Sequence, residues 1–255
     1  MKNVPKKPVK KTMSKRKKCT IVVVIVALVL ALGITLWLWL RPEPVVVSSD
    51  DGSIQLTNRD FAYFYWTRVH SCMEDGLDVD LTKPLSEQSY SQTQTWEEYF
   101  IEQTLSAAED TIFMVRQAQT VGFELPDEEQ KLIDDEIVNF QDTAMGREFA
   151  SVDAYLCYLF GDGSDLESFK QYLYYEHLAK AYSNEMLLQS EPTEEELLAY
   201  YEERMDLYGE DGLEQAHSDL HREKYYKAFQ QLSLTFPVAF YPENISLTAP
   251  DGLYE

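Results

Sequence analysis

His217 and His221 stand four residues apart in the stretch AHSDLHRE, with Asp219 and Glu223 interleaved. On a helix that spacing puts both imidazoles on one face, where they could share a metal ion. No third ligand follows at a motif spacing, and the H-E-x-x-H arrangement that adds a general base is missing. A solvated helix face is the plainer expectation. His70 and His177 have no catalytic neighbours in sequence. GDGSD, residues 161–165, lacks the lysine of a phosphate loop and the acid spacing of a calcium loop, so a turn followed by a helix cap explains it. There is no G-x-S-x-G, and neither Cys72 nor Cys157 sits in a recognisable histidine-paired context. These patterns predict no catalytic group, no metal and no cofactor.

Rings are the other candidate chemistry. In FGDGSDLESFKQYLYYEHLAKAY, residues 160–182, Tyr172, Tyr175, Ala179, Tyr182 and Met186 just beyond it follow one another at spacings of 3, 4, 3 and 4. That is one helical stripe. Leu166, Phe169 and Leu173 lie on a neighbouring arc. Such rows are ordinarily core, with phenol oxygens reaching the surface. They also suit a partly open groove, because tyrosine offers wide contact area at low entropic cost and methionine adapts its shape. The expectation is a division of labour: Phe169 and Leu173 hold the fold, while Tyr172, Tyr175, Tyr182 and Met186 line a cradle for polypeptide.

The elements that must position these rings begin with a charge boundary. The chain has 255 residues and a net charge of −22. Its first eighteen residues hold nine Lys/Arg and no acid, and the remaining 13 basic side chains face all 44 acidic ones, a net of −31. Between the two lies TIVVVIVALVLALGITLWLWL, residues 20–40, without a charge. As a helix it would reach about 31 Å, enough to cross a hydrocarbon core of about 30 Å. The basic flank, residues 1–19, is expected to stay cytoplasmic, with everything after the anchor outside the cell membrane. Trp37 and Trp39 fall where an outer aromatic belt would sit. A cleaved signal peptide is the rival, but the run is long for one and no small-x-small site follows.

The acidic outer part argues against nucleic acid, whose binding needs clustered Lys/Arg. A soluble, solvated surface is the ordinary meaning of such charge; attraction of cationic clients is a second. Cys19 would sit at the inner membrane face. Cys72 and Cys157 would meet an oxidising compartment, where two separate buried thiols are expected and a bridge between them is the alternative.

The segments after the linker 41–44 predict a mainly α domain over 45–255, with a few short β-strands near both ends. Two β-prone pieces flank Asp51-Gly52, a hairpin signal. Thr57 with Asp60 resembles a capping box, and helices follow it, Thr95-x-x-Glu98, Pro126, Ser151, Ser164-x-x-Glu167 and Thr193-x-x-Glu196. Residues 77–94 read as an extended loop. Phe100, Thr104, Ala107, Thr111, Met114, Ala118 and Val121 make one apolar row on the second helix, and Ile101, Leu105, Ala108, Ile112 and Val115 make another about 100° round. Ile133, Ile137, Phe140 and Ala144 face inward on the third. After Gly209 comes one more helix, and SLTFPVAFYPENISLT predicts two short strands broken at prolines. Asn244 begins an N-x-S sequon.

This order resembles a known one. GSIQLTNRDFAYFYW is similar to the strand–turn–helix opening of the SurA/PrsA foldases. TWEEYFIEQTL, GFELPDEEQKLIDDEI, DAYLCYLFGDGSDLESFKQYLYYEHLAKAY and EPTEEELLAYYEE resemble that family's successive helices, and the same module is similar to the C-terminal part of trigger factor. The resemblance covers about residues 45–208 and, more loosely, the tail. In the foldases a parvulin-type prolyl isomerase domain follows; here the stretch after Glu203 holds one helix, short of the roughly 50 residues that a domain with its own core needs. The resemblance implies the chaperone module without its isomerase: a membrane-anchored holdase for unfolded or newly exported polypeptides. An adaptor gripping one specific partner is the alternative, and a degenerate prolyl isomerase a third.

Overall fold

The computed structural model describes residues 43–254 apart from 75, 76 and 78. The expected basic tail, the apolar run 20–40 and Cys19 lie outside the described residues. Among the described residues no helix is long and apolar enough to cross a membrane.

The chain after the linker starts as a hairpin. Strand β1 (Val45–Ser49) pairs antiparallel with β2 (Gln55–Thr57), with an irregularity between Val45 and Val47. Asp51 and Gly52 make the turn as their types predict: Gly52 takes φ 69°, and the Asp51 carboxylate accepts from the Ser53 backbone N–H at 3.0 Å. Strand β3 (Val238–Phe240) pairs with the other edge of β1, giving the order β2-β1-β3. The two ends of the domain therefore meet in one small sheet, as the β pieces at both ends imply. The second strand expected in the tail is instead a 3-10 turn, Pro242–Asn244. Pro242 cannot donate to a ladder, and the Asn244 side-chain amide donates to the Val45 carbonyl at 2.7 Å.

Eight helices fill the described chain between the strands. They are α1 (Asn58–Glu74), α2 (Trp96–Val121), α3 (Asp127–Gly146), α4 (Val152–Phe160), α5 (Leu166–Gln189), α6 (Glu194–Glu203), α7 (Met205–Tyr208) and α8 (Leu213–Thr235). Their starts follow the sequence signals closely. Thr57 and Asp60 exchange bonds at the head of α1. Thr95 with Glu98 and Thr193 with Glu196 form full capping boxes on α2 and α6. Gly122 ends α2 in the left-handed conformation at φ 68°. Residues 77–94 form the loop, with one 3-10 turn at Leu85–Glu87.

One cap slides. Ser164 is not the cap of α5; Asp165 is, accepting the Ser168 N–H at 2.8 Å. The reason lies outside the helix. The other carboxylate oxygen of Asp165 accepts from Arg59 of α1 at 2.6 Å, and the Tyr63 hydroxyl donates to the Asp165 carbonyl at 3.0 Å. Burial pushes the Asp165 carboxyl up, but the Ser168 bonds and the Arg59 charge outweigh it and hold it below the ordinary carboxylate range.

Helix α2 is the axis of the core, packed on α1, α5, α8 and the sheet. Both apolar rows predicted for it are used: Phe100, Thr104, Thr111, Met114 and Ala118 are buried, as are Ala108, Ile112 and Val115, while Val121 at the C-terminal end is exposed. An arc that wide needs more than one neighbour. Around it the rings pack edge to face, Tyr63 on Phe160 at 5.2 Å and Phe64 on Tyr172 at 4.8 Å. Cys72 and Cys157 are not bridged to each other, and of the two thiols expected to be buried only Cys72 is, Cys157 being half-buried. The Cys72 thiol donates to the Val69 carbonyl and the Cys157 thiol to the Ser164 carbonyl, each within its own neighbourhood.

Candidate functional site

A groove of about 610 Å³ opens between α1, α3 and α5, with α4 across one end. Its α5 wall is Phe169, Tyr172, Leu173, Glu176, His177 and Lys180. Those positions repeat at i, i+3, i+4, i+7, i+8 and i+11, one helical face about 16 Å long. Thr67, His70 and Ser71 face it from α1, Glu136 and Phe140 from α3, and Leu159 and Phe160 from α4.

The packing of α3 on α5 sets the floor. Phe140 lies on Phe169 at 4.7 Å between centroids, and the Glu129 carboxylate meets His177 Nδ1 at 2.6 Å. These two contacts run the helices antiparallel, with an aromatic end near α4 and a charged end away from it. Lys180 reaches the same Glu129 carboxylate at 3.8 Å. Both basic side chains at the charged end of α5 thus contact Glu129.

The two remaining acids are held differently. Glu136 has neither a hydrogen bond nor an ion pair among the described residues, and burial pushes its carboxyl above the ordinary carboxylate range against the pull of His177. Burial also raises Glu176, opposed by the Thr111 hydroxyl, which donates to it at 2.9 Å, and by His177 and Arg68. Burial and the neighbouring Glu176 charge push the Tyr172 phenol far above its usual value, so it stays neutral and donates to Thr67 Oγ1 at 3.4 Å.

The four residues expected to line a cradle separate. Tyr172 is on the groove, mostly buried, with an edge in its wall. Tyr175 is half-buried against the core and outside the groove. Tyr182, 8% exposed, packs on Phe123 at 5.4 Å, and Met186, 6% exposed, is core. The stripe carrying them turns toward the core; the open face lies about 100° further round α5. Phe169 and Leu173, expected only to hold the fold, form the groove floor while remaining buried.

The sequence gives His177 no context because its partner Glu129 lies 48 residues away. A carboxylate-oriented imidazole is half of an acid–base device. Of the hydroxyls on the groove, Ser71 Oγ donates to the Arg68 carbonyl and the Tyr172 hydroxyl to Thr67 Oγ1. His217 and His221 both approach Glu191, at 2.9 and 3.5 Å, and no cluster of three metal-ligating side chains occurs among the described residues. That pair ties α8 to the end of α5.

Comparison with family models, with curated proteins and with solved structures finds no match in any of the three.

Proposed function

We propose that the protein is a membrane-anchored, extracytoplasmic holdase that grips unfolded or newly exported polypeptide in the α1/α3/α5 groove, without ATP and without catalysis. The observation that carries this reading is an open groove whose floor is aromatic and aliphatic, Phe140, Phe160, Phe169 and Leu173, inside a domain that is otherwise strongly acidic. Its volume is in the range of binding clefts, about 300–1,000 Å³. The order of segments that resembles the SurA/PrsA foldases supports the same reading. The apolar run 20–40 behind a basic tail would tether the domain beside chains leaving the membrane, which raises their effective concentration.

The test is light scattering of a denatured client diluted into the full-length chain held in lipid nanodiscs, with empty discs as the control. Suppressed aggregation is expected, and Thr67→Trp, which lays an indole across the groove, is expected to abolish it. Unchanged scattering at several-fold excess over several clients removes the proposal.

A second reading, an adaptor for one folded partner, draws on the other end of the chain. Leu188, Leu207 and Leu234 are 72, 74 and 77% exposed. Pull-down from membranes separates the two: one stoichiometric partner supports the adaptor, a spread of exported chains the holdase.

A further inference from the structure

We infer that the groove selects clients by sequence: its preferred ligand is an extended segment of two or three apolar side chains followed by a lysine or arginine. This deepens the holdase reading and rests on it. The groove is graded along its length. At the α4 end Phe140, Leu159, Phe160 and Phe169 offer only apolar surface, whereas Glu136 and Glu176 enter further along. A strand rises about 3.3 Å per residue, so a face of about 16 Å spans about five residues. That is room for an apolar cluster and one charged neighbour.

The charge of that neighbour follows from which groups are left unpaired. His177 and Lys180 both contact Glu129, and although His177 also pulls electrostatically on Glu136 and Glu176, neither side chain forms an ion pair with those two acids. Glu176 has one neutral donor, Thr111, and Glu136 has none among the described residues. Arg68 acts on Glu176 without forming an ion pair with it. Two carboxylates drawn partly out of water against an apolar floor are poorly stabilised as anions. A cation delivered by the ligand would relieve both at once, through charge-assisted hydrogen bonds in a partly dry site. An anionic side chain in that place would meet two like charges. The excess of acid over the whole domain would draw basic segments in from a distance.

The experiment compares three labelled peptides that differ at one position. Each carries Leu-Phe-Leu followed by lysine, norleucine or glutamate, and binding to the full-length chain in neutral phosphatidylcholine nanodiscs is read by fluorescence anisotropy. The lysine peptide is expected to bind about tenfold tighter than the norleucine one, and the glutamate peptide weakest. Glu136→Gln together with Glu176→Gln is expected to erase the preference by bringing the lysine and norleucine peptides to equal affinity, with far-ultraviolet circular dichroism reporting that the fold is intact. Equal binding of lysine and norleucine peptides overturns the charge selection and leaves the holdase reading standing. No binding by any of the three overturns both. A lysine preference that survives both substitutions overturns the assignment to these carboxylates. Competition by butylammonium at the peptide's own affinity would make this an amine site, and overturns the polypeptide ligand.

Discussion

Helices α1, α2 and α5 meet through rings that are almost wholly buried, whereas α6, near the other end of the chain, buries no side chain at all. The contrast between this body and the α6–α8 arm is one of forces. In the body Tyr63, Phe160, Phe169 and Tyr172 form a continuous aromatic cluster. In the arm the contacts are polar and wet: Lys224 to Glu196 at 2.7 Å, the Tyr201 hydroxyl donating to the Gly209 carbonyl at 2.6 Å, and Arg204 stacked 3.9 Å over Tyr200. Only Ala216 and Leu220 of α8 are buried, although Phe229 reaches Phe113 of the body at 4.9 Å. Burial of apolar area supplies most of the free energy of folding, and exposed ion pairs supply little. The groove belongs to the ring-packed body, and the arm, which buries little, is expected to open first.

The sharpest way to break that comparison is to remove one ring from each region. Phe169→Ala is expected to cost about 3–5 kcal/mol in denaturant unfolding, because the ring leaves a cavity in a packed core. Tyr226→Ala, on the arm and 56% exposed, is expected to stay within about 0.5 kcal/mol. Comparable losses would mean that the arm shares the core.

Next in size is a cost that the body carries. Burial and the adjacent Glu109 raise the Asp110 carboxyl on α2 to about 6 from an ordinary 3.8. The folded state then holds the proton more tightly than the unfolded one, so stability falls as pH rises from about 4 to about 6. Asp110→Asn is expected to be more stable than the native chain at pH 7, with the gap closing below pH 4. A gap independent of pH would point to packing instead.

Smaller again is the cap of α6. Thr193→Ala is expected to cost about 1 kcal/mol and to speed amide exchange in α6 while exchange in α2 is unchanged. The smallest effect is assigned to Lys224→Ala, which should leave the unfolding midpoint where it is and loosen exchange only in α6 and α8 at low salt. Faster exchange in α5 with either substitution would show arm and body opening together.

Local signals were the legible part of this chain. A threonine three residues before a glutamate, a glycine after the last apolar position and an Asp-Gly between β-prone pieces each act within a few residues, so Thr95, Thr193, Gly122 and Gly52 stand where their types predict. The misses are long-range. Ser164 lost its cap to Asp165 because Arg59, more than a hundred residues earlier, holds that carboxylate. The tail's second strand became a turn because Asn244 was claimed by Val45, 199 residues away. Tyr182 and Met186 were drawn inward because Phe123 and its surroundings cover that side of α5.

By itself, then, the sequence determined a mainly α domain, most of its helix starts and an α5 with two adjoining rows of rings and aliphatic side chains. Which part of that helix stays open was decided only when α1, α3 and α4 took their places, since a side chain's exposure is a property of what packs against it. The same holds for charge. Glu136 and Glu176 are two acids among 44 in the sequence, and tertiary packing alone, by setting His177 and Lys180 against Glu129, left those two on a groove wall without an ion pair among the described residues.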